Sequence, residues 1–92
     1  MKNYQQIIKL AESGDAKSQY KMGLIFELGL EVEKDLAQAF AWYAKSAEQQ
    51  YAKSQYNLAI FLALGKGVTK DIKQAKHWIK CAKANGYSGA IF

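Results

Sequence analysis

Ala16-Lys17-Ser18-Gln19-Tyr20 recurs without change as Ala52-Lys53-Ser54-Gln55-Tyr56, an offset of 36 residues. Working outward at that offset, Gly29 returns as Gly65, Val32 as Val68, Lys34-Asp35 as Lys70-Asp71, Gln38-Ala39 as Gln74-Ala75, Trp42 as Trp78 and Tyr51 as Tyr87. A period of this length marks a solenoid, in which each unit buries its apolar face against the next. Each unit reads as two helices. The first spans Asp15–Leu28, then Lys53–Leu64, and stops at Gly29 or Gly65, residues suited to ending a helix. A turn follows, through Gly65-Lys66-Gly67 in the second unit. Asp35 and Asp71 then stand where a side-chain oxygen can accept from an orphan backbone N–H one turn on. The second helices span Leu36–Gln49 and Ile72–Asn85, the last closed by Asn85-Gly86.

Ahead of this, Lys9, Ala11 and Glu12 align with Lys45, Ala47 and Glu48. The chain therefore reads as a single domain over 1–92. It has a half repeat at 1–15, whole repeats at 16–51 and 52–87, and a C-terminal stub at 88–92. The expected fold is all-α, a short solenoid of antiparallel helix pairs with about five helices and an apolar tail.

The order G-x-G-V-x-x-D-x-x-x-A-x-x-W resembles the Sel1-like repeat, a relative of the tetratricopeptide repeat. The second unit supplies Ala52, Leu58, Gly65, Gly67, Val68, Asp71, Ala75, Trp78, Ala82 and Gly86 of that pattern. The first supplies Ala16, Gly23, Gly29, Val32, Asp35, Ala39, Trp42, Tyr43 and Ala47. Glu31 departs from the second turn glycine, Ala59 from the helix glycine and Gln50 from the closing glycine, which is expected to alter local geometry. The resemblance implies a right-handed α–α superhelix that serves as a protein-binding scaffold or adaptor, common in bacteria. One cysteine-rich branch of the family is linked to β-lactam binding; its repeated cysteine pairs are missing here.

Composition narrows the chemistry. Of 92 residues, half are hydrophobic and 23% charged, a globular balance. One cysteine and one histidine exclude a disulfide framework and a four-ligand Cys/His zinc site, so no metal or cofactor is expected. No nucleophile–base pair or phosphate loop appears, and the chain reads as no enzyme. With neither a signal-type apolar run nor a membrane span, it is expected to be soluble and cytoplasmic. The basic residues are all lysine, which hints at an AT-rich bacterial source.

Charge is uneven. Residues 1–51 are near neutral, whereas residues 52–92 carry seven lysines against Asp71. On a helical wheel, Lys70, Lys73, Lys76, Lys80 and Lys83 fall in one sector, opposite Ile72, Ala75, Trp78, Ile79 and Ala82. This basic face reads either as a solvated outer surface or as a site for an acidic protein, nucleic acid or anionic membrane. Nucleic acid is disfavoured, because arginine is absent and no aromatic residue interleaves.

The first helices carry the other candidate surface. Met22, Gly23 and Phe26 share a face suited to packing on the partner helix. Lys17, Tyr20, Leu24, Glu27 and Leu28 share another, repeated by Lys53, Tyr56, Ile60 and Leu64. By resemblance to tetratricopeptide units, this second face corresponds to the concave groove, where a partner helix or peptide could lie. The competing reading is that the tyrosines only pack units together. Trp42 and Trp78 read as core, Cys81 as a small filler and His77 as a surface residue. Glu27, Glu31, Glu33 and Asp35 read as solvated charge about the first turn.

The expected function is a non-catalytic adaptor that binds a protein or peptide, with an acidic partner in view. The alternatives are a small inhibitor or immunity protein that occludes a toxin or enzyme, and an electrostatic binder working through the lysine face. A homodimer through the apolar array ends is the remaining partner reading.

Overall fold

The computed structural model describes residues 4–88. Five α-helices follow one another: α1 (Tyr4–Glu12), α2 (Ala16–Leu28), α3 (Leu36–Glu48), α4 (Ala52–Leu64) and α5 (Ile72–Ala84). Among the described residues there is no strand. None of the described helices is long and apolar enough to cross a membrane. The expected tail, Ser88–Phe92, falls largely outside the described residues.

The helix ends follow from local chemistry. Asp15 accepts from the Ser18 N–H at 2.9 Å, Asp35 from the Gln38 N–H at 3.1 Å and Asp71 from the Gln74 N–H at 3.0 Å. α4 lacks such a cap, since Tyr51 at its N-cap offers no side-chain acceptor. Gly29 and Gly65 close α2 and α4 in the left-handed region, at φ 69° and 70°.

Consecutive helices pack in sequence order, α1 on α2, α2 on α3, α3 on α4 and α4 on α5. The main core lies between the two units and holds Tyr43, Ala47, Leu58, Phe61, Leu62 and Ile79 among others. A smaller core under α1 holds Ile7, Ala11, Met22 and Ile25. Tyr43 is fully buried, and its ring meets the edge of Phe61 with centroids 5.4 Å apart.

The departures from the repeat pattern have physical accounts. A Cβ at Gly23 would run into the Tyr43 ring. In the second unit Ile79 stands at the Tyr43 position, and Ala59 is accommodated. A Cβ at Gly67, φ 65°, would run into the backbone of Leu36 and Ala37 at the start of α3. Glu31 holds the equivalent place in the first unit, also left-handed at φ 62°. Gln50 takes the left-handed φ of 66° in place of the closing glycine.

Candidate functional site

α2 and α4 present the residues expected to form the groove. Lys17 and Lys53 are exposed at one end, and Leu28 and Leu64, 61% and 66% exposed, lie at the other. Between them Tyr20, Leu24, Tyr56 and Ile60 are half-buried. Tyr20, Leu24 and Tyr56 also rest against the main core, so packing and surface roles meet in the same side chains.

The tyrosines form a band wider than the two expected. Tyr20 sits 5.5 Å from Tyr51, centroid to centroid, and Tyr56 sits 4.7 Å from Tyr87. These pairs are related by the repeat. Burial raises the Tyr20 phenol above its usual pKa, and the neighbouring Tyr51, Tyr87 and Glu27 push the same way. Tyr51 and Tyr87 were legible as a repeated pair in the sequence, but nothing there placed them beside Tyr20 and Tyr56.

Glu27 departs from the reading of solvated charge. Its carboxylate accepts from the Tyr43 hydroxyl at 2.6 Å and pairs with the Lys66 ammonium at 3.1 Å. Lys66 reaches back from the turn of the second unit, and its ammonium also lies 4.7 Å from the Phe61 centroid. Burial first, then the bond to Glu27, drives the Tyr43 phenol far above the ordinary tyrosine range. Glu27 thus anchors α2, α3 and the second turn together at the edge of the tyrosine face.

The recurring Gln of the opening motif is an internal clamp, whereas its Ser differs between the units: the Ser18 hydroxyl donates to the capping Asp15 and Ser54 reaches α3. Gln19 donates to the Ala11 carbonyl at 3.1 Å, and Gln55 to the Ala47 carbonyl at the same distance. Each Gln carbonyl then accepts an amide from the end of the following second helix, Gln49 at 2.8 Å and Asn85 at 2.9 Å. Ser54 donates to Ser46, which donates to the Ala16 carbonyl. One buried glutamine therefore ties three successive helices, and that is what the repeated motif does.

Other expectations fall as follows. Trp42 and Trp78 are half-buried at the margins of the two cores. The Lys45 ammonium lies 4.8 Å over the Trp42 ring, and the His77 ring meets Trp78 edge-on at 5.2 Å. Cys81 is half-buried with its sulfur 3.6 Å from the exposed His77 Nε2.

The lysine sector is not simply an outer face. The stems of Lys76, Lys80 and Lys83 line an apolar groove of about 440 Å³ between α4 and α5, together with Ala59, Ala63, Ile72, Ala75 and Ile79. Lys70 and Lys73 are exposed outside it. The register explains the groove. In the first unit the same positions hold Phe40, Ala44 and Ala47, packed into the core that α4 completes. In the second unit no further helix follows among the described residues, and lysines rim the equivalent surface.

The Sel1 repeat family model matches residues 16–51 and 52–87. Among solved structures, a Sel1 repeat protein from Oxalobacter formigenes superposes with a TM-score of 0.92 at 32% identity, over 94% of this chain and 65% of that one. The protective antigen c5321 of uropathogenic Escherichia coli, which displays an SLR fold, gives 0.91 at 39% identity, over 98% of this chain and 19% of that one. Helicobacter pylori cysteine rich protein B gives 0.90 at 29% identity, over 94% and 65%. The chain thus spans less than two thirds of the length of each. No curated protein gives a significant sequence match. The repeat matches, the five helices and these superpositions agree on an all-α solenoid, and the chain belongs to the Sel1 repeat family.

Proposed function

We propose that this chain is a non-catalytic protein-binding module that takes a partner helix or peptide across the face of α2 and α4, in the manner of an adaptor. Sel1 repeats are generally protein–protein interaction modules, which supports the class of function. The observation that carries the choice of face is the tyrosine band of Tyr20, Tyr51, Tyr56 and Tyr87, with Leu24 and Ile60 beside it and the exposed Leu28 and Leu64 at its end. Tyrosine supplies large, rigid contact area at low entropic cost, and such residues concentrate binding energy. Tyr51 adds a second argument. It occupies a helix N-cap without capping it, where Asp15 in the first unit does cap. A residue that breaks a local rule is expected where a surface has another use.

The test needs variants that spare the core. Alanine at Tyr20 or Tyr56 removes packing as well as surface, because both rest on the main core. Leu28→Glu with Leu64→Glu alters only exposed side chains. Tyr51→Asp gains a cap worth about 1 kcal/mol against a ring contact worth about 0.5–1.5 kcal/mol, so the fold is expected to hold. Wild type and these variants, each checked by thermal melt, are used to capture partners from lysate treated with nuclease. A protein retained by wild type and lost from both variants supports the face. Equal retention by all three removes it.

A further inference from the structure

The groove beside α5 has a counterpart whose occupant is known. In the first unit the matching surface receives α4, with Phe61 against the buried Tyr43. In the second unit Ile79 replaces Tyr43 over a floor of Ala59 and Ala75, and among the described residues no helix covers the groove. What differs is the margin. Lys76, Lys80 and Lys83 replace Phe40, Ala44 and Ala47, so aliphatic stems extend the apolar wall and carry ammonium groups at its rim.

Those charges find no match within their own unit. From residue 52 onward the sequence contains one acid, Asp71. Asp71 is already engaged, accepting from the Gln74 backbone at 3.0 Å and its side-chain amide at 3.2 Å. A second copy meeting this one through the same face would set lysines against lysines, which is unfavourable. An occupant that fits both floor and rim has an apolar stripe flanked by carboxylates.

We propose that this groove is a second docking site, and that its occupant is an acidic amphipathic helix of a partner protein, seated as α4 is seated on the first unit. The proposal rests on the protein-binding reading above but uses a different surface, so either can fail alone.

The probe is a fluorescent, helix-stapled peptide of the α4 sequence, Ala52–Leu64, carrying Lys53→Glu, Tyr56→Glu, Asn57→Glu and Ile60→Glu. These leave the fully buried residues of α4, Ser54, Gln55, Leu58, Ala59, Phe61 and Leu62, unchanged. A matched peptide carries glutamine at the same four positions. Binding to the full chain is read by anisotropy. The glutamate peptide is expected to bind at least about tenfold tighter than the glutamine peptide at about 50 mM salt, and the gap to close near about 0.5 M. Lys76→Gln with Lys80→Gln and Lys83→Gln alters only exposed side chains and is expected to erase the preference. Ala63→Trp, which fills the groove mouth, is expected to abolish binding of both peptides, whereas Leu28→Glu with Leu64→Glu leaves it intact.

Equal binding of the two peptides overturns the proposal, as does full affinity in folded Ala63→Trp. Cross-peaks between Ile79 and Phe92 in the free chain would assign the groove to the chain's own end. A dimer by sedimentation that Ala63→Trp dissolves would assign it to a second copy. Either result also overturns the proposal.

Discussion

Replacing Gly23 by alanine tests how the two units solve one packing problem with different pairs. In isolation the change favours the folded chain, since alanine in a helix interior is worth up to about 1 kcal/mol over glycine. In place, the new methyl meets the Tyr43 ring. That ring has little freedom to yield. It is fully buried, its edge contact with Phe61 fixes one side, Tyr20 lies 6.0 Å away, and its hydroxyl is held by Glu27 at 2.6 Å. Overpacking of such a site costs about 1–3 kcal/mol, which outweighs the propensity gain. The net expectation is a loss of about 1–2 kcal/mol, readable against a total stability of order 5–15 kcal/mol. Tyr43→Ile copies the second unit, where Ile79 faces Ala59. In that background Gly23→Ala is expected to stabilise by about 0.5–1 kcal/mol. The coupling across the double-mutant cycle is then about 2 kcal/mol, measured by urea unfolding followed by circular dichroism. A Gly23→Ala effect of the same sign and size in both backgrounds would refute the reasoning, because the clash would then not be with Tyr43.

Three further outcomes follow from named contacts. Glu27→Ala leaves the buried Tyr43 hydroxyl without its acceptor and is expected to cost about 1–3 kcal/mol, whereas Lys66→Ala removes a partly exposed ion pair and a cation–ring contact with Phe61 and should cost less, about 1 kcal/mol; equal costs would mean the hydroxyl has another acceptor. Tyr43 keeps its proton to higher pH when folded than when unfolded, so stability is whole below about pH 10 and falls above it, by up to about 1.4 kcal/mol per unit. Urea midpoints of wild type and Tyr43→Phe are expected to converge as pH rises through that range, and a constant difference would count against the assignment. Gln55→Leu removes one bond from the Ala47 carbonyl, which still accepts from the Gln50 N–H at 3.0 Å, and one from the Asn85 amide, which still donates to Gln50 Oε1 at 3.0 Å, and is expected to cost about 1–2 kcal/mol in thermal or urea melts. A loss below about 0.5 kcal/mol would show that the clamp closes with water instead.

The helices were legible because their boundaries are local events. An aspartate that caps and a glycine that turns left-handed act over four or five residues, so Asp35, Asp71, Gly29 and Gly65 could be read one at a time. The helix ahead of Asp15 was legible through the repeat register, in Lys9, Ala11 and Glu12. What stayed hidden needs three helices at once. Nothing in Ala52-Lys53-Ser54-Gln55-Tyr56 says that Gln55 will reach the carbonyl of one helix and accept from another, although its exact recurrence was the loudest signal in the chain. Glu27 likewise looked like one acid in a loop-side cluster, because its partners Tyr43 and Lys66 come from the next helix and the next unit.

The lysine sector shows which kind of sequence comparison reaches such contacts. Placed on a helical wheel, Lys76, Lys80 and Lys83 oppose the apolar stripe of their own helix, and a wheel can say no more. Placed one repeat earlier, they fall on Phe40, Ala44 and Ala47, side chains that the next unit covers. A wheel reports how a helix sits within its unit, whereas the register reports how one unit sits on another. In a solenoid these are separate packing problems, and the second is solved only where a following helix is present. Gly67 follows the same rule: the glycine is required where the start of α3 presses on the turn. Residues that break the repeat are therefore informative in proportion to what their register mates touch.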